Sequence, residues 1–369
     1  MVQDYPILRL RQFGNELECE LTDPTLMQIV GIDAKIPQES KKTIDQHYAE
    51  ILRMTGSKDQ PNITKFRKEL RLLGNEIGKI LKQVLKRLAF EIKEDCNLAL
   101  ALDEETVKIP WELGLIPKSS TERSQNAILC DIACVGRLRV VKAKSWNPSP
   151  KKLRSRRALV VGINYKNSRR KISPLDYAEE EAETIKTILE SNDIHVVSLL
   201  GKKATFNSVI TELIRGVDIF HFTGHGGTSW NKSKICLYDK DLWAEDLEKL
   251  PTNSAAPSLS FFNACETSVD TYKKGKVSWA PYSWAFALVN QGGSVFIGTM
   301  WSVSEQEASI FAETFYKKFL GTGNNTLAQS MRQARNKTKR GKSDTILSWP
   351  AYVLYGPPTL KADDLFAKS

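Results

Sequence analysis

The sequence lacks the features that would place a chain of this size in a membrane or on a disulfide framework. No apolar run in its 369 residues is long enough to cross a bilayer, and the opening stretch MVQDYPILRLRQ is charged too early for a secretory signal. The six cysteines are scattered without a CxxC pair, which argues against disulfides or a zinc site. We therefore expect a cytoplasmic protein with at least one free thiol.

Nucleotide-binding and metalloprotease motifs are also missing. The sequence has no GxGxxG and no HExxH. The segment GNEIGK, residues 74–79, has one residue too few between its glycines for a phosphate-binding loop. GGSVF, residues 292–296, lacks the second glycine of a hydrolase nucleophile elbow. The sequence therefore predicts no metal and no other cofactor.

Acidic residues are absent from one long stretch of a chain whose net charge is +10. Between Arg137 and Arg157 nine residues are basic and none is acidic, and a second basic cluster, RQARNKTKRGK, occupies residues 332–342. Such clusters suit contact with nucleic acid, an acidic partner or anionic lipid. The first cluster contains a single aromatic, Trp146, and the second contains none, so neither has the repeated interleaving of aromatics that stacks bases, and a solvated linker and a solvated helix face are the favoured interpretation.

The chain divides by pattern into a mixed first part and a regular second part. We expect an accessory lobe over residues 1–150, with a small hairpin (Ile7–Leu10 and Leu17–Leu21), helices near 40–54 and 64–93, and the strand NLALALDEE. SWNPSPKK, residues 145–152, has the composition of a linker.

Residues 151–369 alternate short apolar strands with amphipathic helices. This pattern predicts an α/β sandwich of three layers with a mostly parallel sheet. The predicted strands are 157–163, 194–200, 217–222, 258–264, 294–300 and 351–356, and the predicted helices are 176–191 with Asp176 as N-cap, 205–216, 284–293, 304–320 and 325–339.

Two of these strands run into reactive residues. The strand VDIFHF continues into Thr223-Gly224-His225-Gly226-Gly227, and the strand SLSFFNA continues into Cys265. Sites in open α/β sheets form at the carboxyl ends of the strands. If the two strands are neighbours, His225 and Cys265 form a pair suited to nucleophilic acyl transfer.

The chemistry of such a pair explains the glycines around His225. The thiolate of Cys265 attacks, His225 holds the proton and returns it to the leaving amine, and the N–H groups of Gly226 and Cys265 stabilise the oxyanion. Glycine leaves room for the backbone to approach a substrate and permits a turn with positive φ. No third residue that would orient His225 is evident.

Histidine and cysteine at such positions can also have purely structural roles. A histidine after a strand is commonly structural, and a buried cysteine is commonly an inert apolar side chain. His221, between Phe220 and Phe222, and Cys236, within the apolar run KICLYD, are both predicted to be core residues.

The boxes HFTGHGG and FFNACETS resemble the His and Cys boxes of caspase-type cysteine peptidases, and specifically of CHAT domains. The resemblance covers about residues 65–358 and includes LALDEETVKIPWELG (100–114) and, further along, WAFALVNQGGSVFIGTMWSVSEQEA, AQSMRQAR and WPAYVLYGPP. It implies a caspase-like catalytic domain over 151–369 and a pseudo-caspase-like lobe, carrying the PWEL box, packed on the catalytic sheet.

The sequence departs from caspases at the specificity positions. Asn263 replaces the glutamine of the caspase Cys box, His225 lies 40 residues before Cys265, and TMWSVSE (299–305) has no arginine. We expect a P1 residue other than aspartate, with Asn263 at the substrate site and Trp301 and Val303 lining an apolar S1 or S2 pocket. The polar segment 266–281 is expected to be a mobile loop that settles on activation.

The resemblance also implies a biological setting. CHAT proteins without tetratricopeptide repeats, as this sequence is, resemble stand-alone components of bacterial antiviral defence and programmed cell death. There a latent protease, switched on by a protein or ligand activator, cleaves a partner such as a gasdermin or another effector. The alternatives are a catalytically silent scaffold that binds partners, and nucleic-acid binding through residues 137–157.

Overall fold

The chain forms two compact units in a computed structural model that describes residues 4–24, 28–57, 62–118, 126–139, 156–229, 232–250, 256–266, 280–290, 293–340 and 348–366. One unit comprises Met1–Trp146 with Tyr355–Thr359, and the other comprises Asn147–Leu354 with Leu360–Ser369. At Cys265 the description extends to the backbone alone. No helix among the described residues is both long enough and apolar enough to cross a bilayer.

The first unit is built on a five-stranded mixed sheet, in the order β3-β2-β1-β4-β7 within the described residues. The pairs β1–β2 and β2–β3 are antiparallel, whereas β1–β4 and β4–β7 are parallel. Its strands are β1 (Ile7–Phe13), β2 (Glu16–Asp23), β3 (Gln28–Lys35), β4 (Asn97–Leu102), β5 (Leu115–Pro117), β6 (Asn126–Ile128) and β7 (Cys134–Arg139). Its helices are α1 (Gln38–Thr55), α2 (Ile63–Arg87) and α3 (Leu129–Ile132).

The predicted hairpin and both long helices of this unit are confirmed, but α2 ends at Arg87 rather than near residue 93. Ala89 adopts a left-handed conformation with φ of 50°. The amide of Phe90 then donates to the Leu85 carbonyl at 3.0 Å, a C-terminal capping geometry that stops the helix.

The PWEL box is buried in the interior of the first unit. Trp111 is fully buried, and its indole N–H donates to the Thr106 carbonyl at 2.8 Å. Glu112 accepts two hydrogen bonds of 2.6 Å from the buried guanidinium of Arg137. Arg137 also donates to the carbonyls of Val107 and Ile109, so every side of this buried ion pair is satisfied. The prediction that Arg137 belongs to a solvated basic segment is wrong, because Arg137 is a core residue.

The second unit contains the predicted α/β sandwich, which is confirmed. Its sheet has the order β9-β8-β10-β13-β14-β15 among the described residues, and β9–β8, β8–β10, β10–β13 and β13–β14 are parallel pairs. The strands are β8 (Arg157–Gly162), β9 (His195–Leu200), β10 (Ile219–Ser229), β11 (Lys232–Cys236), β12 (Asp241–Trp243), β13 (Leu259–Glu266), β14 (Val295–Thr299) and β15 (Tyr352–Tyr355). The helices are α4 (Ala178–Glu190), α5 (Phe206–Arg215), α6 (Ala244–Leu247), α7 (Ala280–Asn290), α8 (Glu305–Leu320), α9 (Leu327–Lys339) and α10 (Ala362–Leu365).

Helices cover both faces of this sheet. Along β13, Phe261 packs against Phe315 and Tyr316 of α8, whereas Phe262 packs against Trp284 of α7. Successive residues of a strand point to opposite faces, so α8 and α7 lie on opposite sides of the sheet. This is the three-layer arrangement that the sequence predicts.

Two local predictions in this unit are wrong. α4 begins at Ala178 with Tyr177 at the N-cap position, and Asp176 instead forms an exposed ion pair with Lys166 at 3.1 Å. Three glutamates in the first turn of α4 supply the negative charge that a helix N-terminus favours. The second error concerns β10, which continues through the glycine-rich stretch that the sequence suggested was a turn.

Candidate active site

The candidate site lies where two neighbouring parallel strands, β10 and β13, approach their carboxyl ends. Their backbone register pairs His221 with Phe261, Thr223 with Asn263, and His225 with Cys265. Neighbouring strands of a sheet are about 4.8 Å apart. The two positions singled out by their chemistry therefore lie directly opposite each other, on one face of the sheet.

The imidazole of His225 is half-buried and held at one nitrogen. Its Nε2 lies 2.8 Å from the carbonyl oxygen of Ser173. A carbonyl can only accept, so Nε2 carries the proton and Nδ1 of the neutral ring keeps its lone pair. Burial lowers the pKa of His225 below its ordinary value, although the bond to the Ser173 carbonyl opposes this effect. A neutral ring with a bare Nδ1 is the form that accepts a proton.

Ser173 belongs to the loop of residues 163–177, here called the β8–α4 loop. It is the orienting group that the sequence did not reveal. Because a backbone carbonyl acts, no residue type marks the position. The available signal was the loop itself: it leaves β8, the strand next to β10, at the same end of the sheet.

Tyr165, from the start of this loop, fixes the backbone of His225. The hydroxyl of Tyr165 accepts a hydrogen bond from the amide of His225 at 3.0 Å and donates to the carbonyl of Cys236 at 2.5 Å. Its ring lies 5.1 Å from the imidazole, centroid to centroid. Tyr165 is almost fully buried, so its hydroxyl is a rigid strut between β10 and β11.

The glycines beside His225 serve close packing rather than a turn. Gly224, Gly226 and Gly227 all lie within β10, and none of them has positive φ. A Cβ on Gly224 would come within 2.8 Å of both the Tyr165 hydroxyl and the Phe222 ring, and a Cβ on Gly226 would come within 3.0 Å of the Ala264 side chain. The expectation of a flexible, positive-φ corner is therefore corrected. Gly226 itself pairs in register with Glu266 and with Ile235.

A buried polar network lies one layer inside the site. His221 is fully buried, with Nε2 3.1 Å from Oε1 of Glu181. The side-chain amide of Asn263 donates to the same oxygen at 2.7 Å and accepts from the Tyr352 hydroxyl at 2.9 Å. The prediction that His221 is a core residue is confirmed. The amide of Asn263, predicted to meet substrate, is occupied by interior partners.

The other predicted substrate residues follow β14. Trp301 has no exposed surface, and Val303 is 8% exposed. Both lie just beyond the carboxyl end of β14, two strands along the sheet from His225. The loop predicted over 266–281 is shorter at both ends, because Glu266 belongs to β13 and residues 280–281 belong to α7. Its remainder, 267–279, and most of the basic segment, 140–155, lie outside the described residues.

Cys236, the alternative thiol, is a core residue as predicted. It is 8% exposed, and burial raises the pKa of its thiol to about 11. A thiol with so high a pKa is a poor nucleophile near neutral pH. Among the described residues no group of three or more histidine, cysteine, aspartate or glutamate side chains could hold a metal ion.

A family model for the CHAT domain matches residues 68–357. The chain belongs to the CHAT domain family. This confirms the resemblance drawn from the ordered boxes, which was expected to span residues 65–358. The CHAT match includes the PWEL box of the first unit, together with β10 and β13 of the second. No curated protein matches the chain in sequence.

Solved structures similar to this CHAT chain are caspase-like cysteine peptidases. The Saccharomyces cerevisiae separase–securin complex matches with a TM-score of 0.59 at 12% identity, covering 96% of this chain and 30% of that chain. The cysteine proteinase gingipain R (RgpB) matches with a TM-score of 0.51 at 13% identity, covering 88% of this chain and 76% of that chain. A complex of Porphyromonas gingivalis RgpB pro- and mature domains also matches with a TM-score of 0.51, at 12% identity, covering 88% of this chain and 78% of that chain. The CHAT chain thus has a caspase-like fold and spans less than a third of the separase chain.

Proposed function

We propose that this protein is a cysteine endopeptidase in which His225 activates Cys265. The observation that carries the proposal is the register of β10 and β13, which sets the two residues opposite each other. The Ser173 carbonyl supports it further, because a bond at Nε2 leaves Nδ1 available for the thiol proton. The caspase-like fold supports peptide hydrolysis over other acyl transfers.

The proposed reaction proceeds in two halves. The Cys265 thiol gives its proton to Nδ1 of His225, and the sulfur attacks the peptide carbonyl. The C–N bond breaks as His225 passes that proton to the leaving amine, which leaves an acyl-enzyme. His225 then takes a proton from water, the resulting hydroxide attacks the thioester, and the proton returns to the sulfur as the carboxylate product leaves. No cofactor takes part in these steps.

Oxyanion stabilisation is assigned to the amides of Gly226 and Cys265. Gly226 directly follows His225, and Cys265 is itself the other member of the dyad; both lie in the carboxyl-terminal halves of β10 and β13. Glycine at position 226 leaves its backbone without a side chain, whose Cβ would come within 3.0 Å of the Ala264 side chain. Each such donor contributes about 3 kcal/mol to stabilising the transition state.

Substrate selection is proposed to exclude aspartate at P1. The segment after β14 has no arginine, and its buried Trp301 and Val303 would line an apolar S1 or S2 pocket. Because Trp301 is buried, substrate would meet it only after a shift of the chain beside it. Asn263 would contribute by holding β13 rather than by touching substrate, since its amide is bonded inside. Gingipain R is Arg specific, so a library that includes basic P1 residues is the appropriate probe. A cleavage profile dominated by aspartate would contradict this part.

The biological proposal is a latent protease of bacterial defence or programmed cell death. Its substrate would be a partner protein, such as a gasdermin or another effector, and a protein or ligand would activate it. Separase was crystallised in complex with a second protein, securin, which supports a protein partner for this chain. Residues 1–150 are proposed to be the accessory lobe and 151–369 the catalytic domain, in the cytoplasm.

The experiment that tests this proposal is co-expression of the chain with the products of its neighbouring genes, as wild type and as Cys265→Ala. A proteolytic fragment that forms with the wild type alone supports the peptidase. Full biological activity of Cys265→Ala, with no fragment in either case, would instead favour the silent scaffold. Binding to nucleic acid that weakens steeply with salt would favour a role for the basic segment.

A further inference from the structure

The β8–α4 loop presents the Ser173 carbonyl from an exposed position. Ser173 and its neighbour Pro174 are both exposed, and the loop contains no helix or strand. The Ser173 carbonyl lies 2.8 Å from Nε2 of His225. Backbone bonds hold the residues on either side of it: the Ile172 amide donates to the Arg170 carbonyl at 2.8 Å, and the Leu175 amide donates to the Asn164 carbonyl at 2.9 Å. The position of this oxygen must therefore be set by contacts elsewhere in the loop.

Arg170, three residues before Ser173, ties the loop to the hairpin of β11 and β12. One guanidinium nitrogen donates to the Leu237 carbonyl at 2.7 Å, and another pairs with Oδ1 of Asp241. The second carboxylate oxygen of Asp241 accepts from Lys234 at 2.6 Å. Burial would raise the pKa of Asp241, but the hydrogen bonds from Lys234 and Arg170 outweigh it, and the pKa lies below its ordinary value. The cluster is ionised and half-buried, where screening by solvent is reduced.

Further hydrogen bonds hold the β8–α4 loop in place on both sides of Ser173. The Ser168 hydroxyl donates to the Tyr238 carbonyl at 3.3 Å, and the Tyr238 hydroxyl donates to the Asn167 carbonyl at 2.7 Å. At the far end of the loop, the amide of Tyr177 donates to the carboxylate of Glu305 at 2.9 Å. Ser173 therefore lies between two anchored points.

The hairpin that receives Arg170 is continuous with the strand that carries His225. β11 pairs with β10 immediately beyond His225, from Gly226↔Ile235 to Ser229↔Lys232, and β12 pairs with β11. The contacts thus form a closed loop of interactions. His225 contacts Ser173, the β8–α4 loop connects Ser173 to Arg170, Arg170 pairs with Asp241, and the β11–β12 hairpin connects Asp241 back to β10. A displacement of Arg170 would therefore shift the Ser173 carbonyl and change the orientation of the His225 imidazole.

We propose that Arg170 and Asp241 are positioning residues of the dyad, which hold the Ser173 carbonyl against Nε2 of His225 and so keep Nδ1 directed at Cys265. This inference rests on the proposed function of the dyad. It assigns to a charged pair, with Arg170 in the β8–α4 loop and Asp241 at the start of β12, the orienting role that a third side chain has in catalytic triads. Neither residue touches substrate.

The test is the rate at which iodoacetamide alkylates Cys265 at pH 6.5, measured by mass spectrometry of the Cys265 peptide. It requires no substrate and no activator. The variants are Arg170→Ala, Asp241→Asn, Arg170→Lys and His225→Ala. Arg157→Ala is the matched control, because Arg157 forms a similarly half-buried pair with Glu212 at the opposite end of β8.

We expect Arg170→Ala and Asp241→Asn to slow alkylation roughly 10- to 100-fold, most of the way to His225→Ala, because a misplaced base costs about that much. Arg170→Lys should recover part of the rate, and Arg157→Ala should match wild type. On a cleaved peptide, kcat should fall while KM changes less than about twofold. Circular dichroism of each variant confirms the fold.

The outcomes separate the two proposals. If His225→Ala slows alkylation but Arg170→Ala and Asp241→Asn do not, the positioning role is wrong and the dyad stands. If His225→Ala alkylates as fast as wild type, the dyad fails and the positioning role fails with it. An equal loss in Arg157→Ala would mean that any half-buried ion pair has this effect, which also overturns the inference.

Discussion

His225 combines a lowered pKa with a fixed protonation pattern. Burial disfavours the imidazolium, and the Ser173 carbonyl requires a proton on Nε2. A general base works best when it is neutral at the working pH and its lone pair faces the proton to be taken. His221, four residues earlier on the same face, is instead enclosed by Glu181 and the rings of Phe261 and Tyr316.

The state of His225 can be measured directly by NMR titration of ¹³C,¹⁵N-histidine-labelled Cys265→Ala protein, with the signal assigned from His225→Gln. We predict a midpoint below the ordinary value of about 6.5. The same shift makes stability depend on pH. Because the pKa of His225 is lower in the folded protein than in the unfolded chain, its contribution to the free energy of unfolding is present above the unfolded-state pKa and is lost as pH falls through the folded-state pKa. A midpoint at or above 6.5 would contradict the environment described for the ring.

Residue types predicted much of this site but not all of it. The pairing of His225 with Cys265 across neighbouring strands could be predicted because a reactive side chain follows the apolar part of each strand. Ser173 could not, because its carbonyl acts and any residue supplies one. The interior partners of Asn263 were not predictable for a related reason: its position two residues before Cys265 is evident in sequence, but the buried Glu181 and Tyr352 that bond its amide come from elements far away in the chain.

At the scale of the element, β10 is longer than its sequence suggests. Glycine-rich stretches after an apolar run are typical of turns, yet the strand continues through Gly227 because β11 and β13 pair with it on both sides. Glycine in a strand also marks close approach of another group. At Gly224 that group is Tyr165, whose hydroxyl crosses the strand to anchor His225 and Cys236.

Two glycines of β10 make a matched pair of variants. We predict that Gly224→Ala lowers the free energy of unfolding by about 1–3 kcal/mol and slows alkylation of Cys265, because the new methyl group meets the buried Tyr165 hydroxyl and Phe222 ring at 2.8 Å. Gly227→Ala should change neither, since its Cβ would meet only Lys234, at 3.6 Å. Urea denaturation and the alkylation rate measure both effects. Equal behaviour of the two variants would contradict this account of β10.

Across the whole molecule, some of the basic side chains are buried inside the protein and do not contribute to a basic surface. Arg137 is buried against Glu112, and Arg335 is buried with its guanidinium on the Tyr352 carbonyl. Summed charge along a segment predicted an exposed basic surface, because sequence does not show which arginines find interior partners. The alternation of strands and helices, by contrast, predicted the sandwich of the second unit well, since that period is set by burial on a sheet.

We predict that Glu112 of the PWEL box stabilises the folded protein through its ion pair with Arg137. Glu112→Ala leaves the guanidinium of Arg137 buried without its carboxylate, which should lower the free energy of unfolding by about 3–5 kcal/mol. Glu105→Ala is the control in the same unit, because the Glu105–Lys108 pair is exposed at 46% on each side and should contribute less than about 1 kcal/mol. Urea denaturation of the full chain compares them. A loss in Glu112→Ala no larger than in Glu105→Ala would contradict a structural role for the box.

Activation of Cys265 by His225 should be visible in the pH dependence of Cys265 alkylation. Wild type and His225→Ala are treated with iodoacetamide from pH 5 to pH 10, with the Cys236 peptide as an internal reference for a thiol whose pKa burial raises to about 11. We predict that wild-type Cys265 reacts with an apparent pKa well below the ordinary value of about 8.5, and that His225→Ala returns it towards that value. Identical profiles in the two proteins, both with an ordinary thiol pKa, would contradict the account.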